Sequence, residues 1–171
     1  MNADSGDLPT QVVHAYTQCG LTVATCESLT AGLVGGTLAT VPGASKVLRG
    51  GLVTYATELK SALAGVDAEL LEKVGAVDAE VARQMARGAR RACAADVAVA
   101  CTGVAGPDMQ DGKPVGTVFV AVATRDGEDV REHAFEGDRA SIRQKTVEAC
   151  CEALLRITSC GLSSNPVEDP Q

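Results

Sequence analysis

Four short segments hold the residue types from which chemistry can be built: CESLTAG at 26–32, VTYATELK at 53–60, TGVAGP at 102–107 and GDRASIR at 137–143. In the first, an apolar run gives way to a helical pattern. Ser28 therefore stands where free backbone N–H groups and the positive end of a helix converge, and such donors stabilise an oxyanion. The same placement suits Ser28 or Thr30 as a plain helix cap, and position alone does not make a nucleophile.

A serine that attacks an amide needs a base. There is no GxSxG, and His14 and His133 fall in a peripheral helix pattern and a late strand, which fits structural or solvent-facing roles. A lysine is the remaining simple solution. Lys60 lies in the first turns of a helix that follows a strand ending near Tyr55, and burial beside a positive helix end lowers an ammonium pKa. A solvated lysine paired with Glu58 is the alternative, and Tyr55 by itself also reads as a packed aromatic.

TGVAGP places Thr102, Gly103 and Gly106 after an apolar run, and glycines there let main-chain amides approach a ligand. It carries only GxxG, with no helix directly behind it and no GK[ST], so it is not a dinucleotide or phosphate-loop fingerprint; an ordinary turn fits as well. Arg139 and Arg143 are four apart and share a face near a helix start. That arrangement suits a phosphate monoester, or else surface ion pairs. No HxxxH, CxxC or tight carboxylate set appears, so no metal and no cofactor is expected.

The elements that must position these residues alternate. Helical patterns cover residues 11–19, 30–40, 57–64, 67–73, 78–94 and 138–157, with Pro42-Gly43 ending the second and Asp78 a candidate cap of the fifth. Strand patterns cover 21–26, 52–55, 97–101, 115–124 and 130–135. The continuous apolar runs at 97–101 and 115–124 suit interior strands, and 130–135 alternates like an edge. This order predicts a single three-layer α/β/α domain with a mixed, largely parallel sheet over 10–160, a flexible 1–9 and a disordered 161–171.

The 171 residues suffice for one core, and with aromatics at 2% and no Trp it must be packed from Ala, Val and Leu. A net charge of −7 argues against direct nucleic-acid binding. Seven cysteines without a CxxC pair read as reduced thiols, and no signal peptide or apolar run of ~18 residues is present, so a cytoplasmic protein with no membrane partner is expected.

In this order, CESLTAG, GGLVTYATELK, TGVAGPDMQDGKPVGTVFVAV and FEGDRASIRQKTVEA resemble the successive motifs of the competence-damage-inducible (CinA) C-terminal domain family, which includes bacterial nicotinamide-nucleotide amidohydrolases. The resemblance spans residues 10–155. It implies hydrolysis of the carboxamide of nicotinamide mononucleotide to nicotinate mononucleotide and ammonia. Ser28 would be the nucleophile, Lys60 the base and Tyr55 a support of the proton path. Thr30, Gly32, Thr102, Gly103 and Gly106 would line the substrate site, with Arg139 and Arg143 for phosphate.

The family's tendency to homo-oligomers carries over as an expectation, as does a stand-alone form lacking the larger N-terminal domain of many relatives. The commoner first motif is AESCTGG: here Cys26, Leu29 and Ala31 depart from it, while Glu27, Ser28, Thr30 and Gly32 remain. A nucleotide-binding regulatory module without turnover and an interaction partner in DNA uptake or recombination are the other classes. Intact Ser28 and Lys60 speak against the first, and the acidic charge against DNA contact in the second.

Overall fold

In VAVAC and, after Phe119, VAVA, large and small side chains alternate, and because successive residues of a strand face opposite sides, that alternation gives the sheet two unlike faces. The computed structural model describes residues 6–159. Its five strands are β1 (Val23–Glu27), β2 (Leu48–Val53), β3 (Val97–Gly103), β4 (Thr117–Thr124) and β5 (Gly127–Ala134), in the order β2-β1-β3-β4-β5. β2, β1 and β3 run parallel, and β4 and β5 follow antiparallel, so the sheet is mixed as expected.

One face carries Val23, Val97, Val99, Val118, Val120 and Val122. Against it pack α1 (Leu8–Cys19), α2 (Leu33–Ala39) and α6 (Arg139–Ser159). The other face carries Ala24, Ala98, Ala100, Ala121 and Ala123 with Phe119, and is covered by α3 (Thr57–Ala64), α4 (Ala68–Val74) and α5 (Ala79–Ala92). Alanine on the sheet meets Ala82, Met85, Ala86 and Ala89 on α5, so that helix sits close to the strands. β3 and β4 are buried on both faces and β5 is an exposed edge, as their patterns predict. No helix among the described residues is long and apolar enough to cross a membrane.

Several boundaries differ, and three of the differences have a clear local cause. α1 opens at Leu8, capped by Asp7, whose carboxylate accepts from the Thr10 N–H at 3.1 Å; Leu8 and Pro9, expected in a flexible segment, thus belong to the helix. β2 ends at Val53, two residues before Tyr55, and its Gly50 and Gly51 hide the strand signal although both pair with β1. α2 begins at Leu33 rather than residue 30, because Ala31 (φ 52°) and Gly32 (φ 98°) take left-handed conformations that a helix does not allow. The expected tail at 161–171 lies outside the described residues.

α5 also meets α3, and the contact has no room for a side chain. A Cβ on Gly88 would overlap the Ala64 carbonyl, whereas one on the exposed helical Gly36 would meet nothing within 4 Å. Gly88→Ala is expected to lower stability by about 1–3 kcal/mol through overpacking. Gly36→Ala should instead raise it by about 0.5–1 kcal/mol through helix propensity. Urea unfolding midpoints of the two variants check this, and equal shifts would contradict the close contact.

Candidate active site

Parallel pairing brings the carboxyl ends of β1, β2 and β3 to one edge of the sheet, where open α/β sheets place their ligands. The ladders continue one residue past the strands: the Ser28 N–H donates to the Cys101 carbonyl (3.1 Å) and the Thr54 N–H to the Glu27 carbonyl (2.9 Å). Ser28 is thereby fixed at the strand end, and it is 8% exposed.

Three residues after Thr54, α3 begins, and its fourth residue is Lys60. Lys60 is 0% exposed. Its Nζ donates to the Thr54 carbonyl at 2.7 Å and to Ser28 Oγ at 3.1 Å. Burial pulls the Lys60 pKa below the ordinary lysine range, and Cys26, Cys101, Asp111 and Glu58 oppose this more weakly. This is no solvated helix lysine: it is an amine held against a serine and driven toward its neutral, proton-accepting form.

Cys26 also lies here, its Sγ 3.6 Å from Thr54 Oγ1. Burial pushes its thiol up to about 12, which keeps it protonated and unreactive. His14 is exposed on α1. His133 stacks on Phe135 at 5.0 Å and its Nε2 is buried without a hydrogen-bond partner; burial lowers its pKa.

A cleft opens above Ser28, lined also by Leu29, Tyr55, Gly103, Gly106, Asp108, Gln110 and Arg139. The Arg139 guanidinium bridges it, donating to the Tyr55 hydroxyl and to the Gly106 carbonyl, each at 2.7 Å. Tyr55 is 54% exposed, and its hydroxyl is bound to Arg139 and not to Ser28 or Lys60.

The remaining candidates do not line the cleft. The Thr102 hydroxyl donates to the Ala76 carbonyl (2.6 Å) and ties β3 to the segment before α5. The Thr30 hydroxyl donates to Glu27 Oε2 (2.6 Å), and the Gly32 N–H reaches the same oxygen (3.0 Å). Arg143, paired with Arg139 in the sequence reading as a phosphate ligand, donates instead to the carbonyls of Leu29 (2.9 Å) and Thr30 (3.1 Å). Its guanidinium braces the turn after Ser28. Among the described residues no set of three or more His, Cys, Asp or Glu is arranged to hold a metal.

Sequence reasoning passed over Glu27, Asp108 and Gln110 as site residues. For Glu27 the signal was available: an acid closing an otherwise apolar strand must find donors, and a glycine-rich helix start directly follows it. Asp108 and Gln110 sit in a polar loop that, by pattern, is indistinguishable from a solvated turn.

The CinA C-terminal domain family matches residues 6–158. A CinA-like protein of Geobacter sulfurreducens is 46% identical over 150 residues, covering 87% of this chain and 36% of that protein. A second, of Geobacter metallireducens, is 42% identical over 154 residues, covering 90% and 37%. The chain thus spans little more than a third of the length of these relatives.

Among solved structures, the competence/damage inducible protein CihA from Agrobacterium tumefaciens superposes with a TM-score of 0.85 at 38% identity, covering 92% of this chain and 99% of that one. A CinA superfamily protein from Escherichia coli superposes at 0.86 with 29% identity, covering 92% and 94%. With the family model matched over residues 6–158 and a relative 46% identical over 87% of the chain, the chain belongs to the CinA C-terminal domain family.

Proposed function

We propose that this chain hydrolyses the carboxamide of nicotinamide mononucleotide to nicotinate mononucleotide and ammonia through a serine–lysine pair. The observation that carries the reading is the 3.1 Å contact between the fully buried Lys60 Nζ and Ser28 Oγ at the floor of a polar cleft. The family resemblance supplies the substrate, and Arg139 at the rim supplies a cation for its phosphate.

Neutral Lys60 accepts the Ser28 proton as Oγ attacks the carboxamide carbon. The carbonyl oxygen becomes an oxyanion beside the N–H groups of Leu29 and Thr30, for which no protein acceptor is found among the described residues. The Lys60 ammonium then protonates the leaving nitrogen, the C–N bond breaks and ammonia departs, leaving an ester on Ser28. Water, losing its proton to Lys60, attacks that ester; the acid is released and the proton returns to Ser28 Oγ. The sum is one amide and one water converted to one carboxylic acid and one ammonia. Arg143 and Glu27 hold the turn on which the oxyanion donors lie.

Ammonia release from nicotinamide mononucleotide, measured with a chelator present, is expected from the native protein. In folded Ser28→Ala and Lys60→Ala it should fall by a factor on the order of 10⁴ or more, the scale on which such units act. No release from the native protein would sink this substrate and leave a binding role.

The rate should also depend on pH in a defined direction. The reaction needs the unprotonated amine and burial lowers the Lys60 pKa, so kcat/KM rises with pH through a limb whose midpoint lies below the ordinary lysine range. A limb at the ordinary lysine value would contradict the buried base. Arg139→Ala should raise KM for the mononucleotide about tenfold, the scale of one charge-assisted hydrogen bond, and leave KM for the phosphate-free riboside unchanged. Equal changes for both would remove Arg139 as a phosphate ligand.

A further inference from the structure

Glu27 is the last residue of β1 and is 1% exposed. Among the described residues no lysine or arginine donates to it. Its Oε2 accepts from the Thr30 hydroxyl (2.6 Å) and from the N–H groups of Gly32 and Val34 (3.0 Å each), and its Oε1 from the Gly35 N–H (2.8 Å). Gly32 offers no side chain to cap α2, so the acceptor that a helix start requires comes from the preceding strand instead.

The surrounding turn is almost fully accounted for. The Ser28 N–H goes to Cys101 and the Ala31 N–H to the Ser28 carbonyl (3.0 Å). The carbonyls of Leu29 and Thr30 go to Arg143. Among the described residues two donors next to the nucleophile are left over, the N–H groups of Leu29 and Thr30. The Arg143 bond to the Leu29 carbonyl polarises the peptide whose N–H is that of Thr30, which strengthens that donor. Ala31 holds a left-handed conformation unfavourable for a residue with a Cβ, so the turn needs anchors to persist.

We propose that Glu27 is the positioning residue of this turn. By gathering Thr30, Gly32, Val34 and Gly35 onto one carboxylate, with Arg143 holding the opposite edge, it keeps the Leu29 and Thr30 N–H groups as a fixed oxyanion-binding pair beside Ser28. This rests on Ser28 acting as a nucleophile; it does not rest on the identity of the amide. Glutamine cannot replace Glu27, because its NH₂ would face one of these backbone donors, and that edge of the turn would be released.

The test is the rate at which a fluorophosphonate labels Ser28. Oγ forms the bond to phosphorus, fluoride leaves, the serine proton passes to Lys60, and the phosphoryl oxygen takes the oxyanion donors. Folded Glu27→Gln should be labelled at least about tenfold more slowly than the native protein, the scale of losing one oxyanion donor. On nicotinamide mononucleotide its kcat should fall in parallel, with KM within about twofold and the midpoint of the pH–rate limb unmoved, because Lys60 is untouched. Glu27→Asp, which restores acceptors only, should recover part of the labelling rate. Should Glu27→Gln not fold, Thr30→Val removes one donor to Glu27 while keeping the side-chain shape, and should slow labelling in the same direction.

Labelling within about twofold of native in folded Glu27→Gln or Thr30→Val, accompanied only by a lower thermal midpoint, would reduce Glu27 to a structural cap and overturn the proposal. A native protein that the probe does not label overturns it too. Glu27-dependent labelling without turnover of the mononucleotide would leave the proposal standing and reject only that substrate.

Discussion

A primary amine with no exposed surface is the constraint around which this site is arranged. An ammonium taken out of water must be compensated, or it gives up its proton. The compensation available to Lys60 is small, one carbonyl and one hydroxyl, and both come from strand ends. That requires β1 and β2 to be parallel with their carboxyl ends side by side, and α3 to start three residues beyond Thr54. The link between Thr54 and the Glu27 carbonyl closes this geometry, so the lysine's acceptor and the serine's strand move as one unit.

The depth of Lys60 depends in turn on the alanine face of the sheet. Lys60 and Ala64 are one helical turn apart and share the buried side of α3. Ala64 lies against α5 where Gly88 has no side chain, and α5 is close to the sheet because the strands below it present alanine. Each small residue allows the next layer to approach. The depth of one long side chain thus follows from the absence of side chains elsewhere. The valine face, on the other side of the sheet, carries α6, from which two arginines reach the same strand edge.

Much of this was legible in the sequence, because the signals are local. Buried valine-rich runs mark β3 and β4. Asp78 before a helical pattern marks the cap of α5, where it accepts from the N–H groups of Glu80 and Val81. The spacing of Lys60 behind a strand made it a candidate, although only the fold distinguishes the buried amine beside Ser28 from a surface lysine. Polar residues next to glycine-rich turns were not resolvable. Thr102, Thr30 and Arg143 look the same in sequence whether they bind a ligand or the protein's own backbone, and the partners that settle the matter for Thr102 and Arg143 are remote, 26 residues away for Thr102 and more than 110 for Arg143. The start of α2 was misjudged for the opposite reason: Ser28 and Thr30 are good caps by type, but Glu27 accepts the donors from the strand before them.

Two arginines four apart on one helix face end in different environments, and the difference is instructive. Arg143 is bound to the turn and serves the protein's own geometry. Arg139, one turn nearer the helix start, spans the cleft to a phenol and a carbonyl, both neutral acceptors. An anionic oxygen is a stronger acceptor than either, so in the proposed reaction the phosphate competes for Arg139 on favourable terms. When it succeeds, the Tyr55 hydroxyl loses its partner at the mouth of the cleft that Ser28 also lines. A place for Tyr55 in the proton path therefore requires that Arg139, which holds its hydroxyl at 2.7 Å, release it to the phosphate. Both ends of the substrate would then be sensed by a single face of α6, the phosphate through Arg139 and the reacting carbonyl through the turn that Arg143 holds.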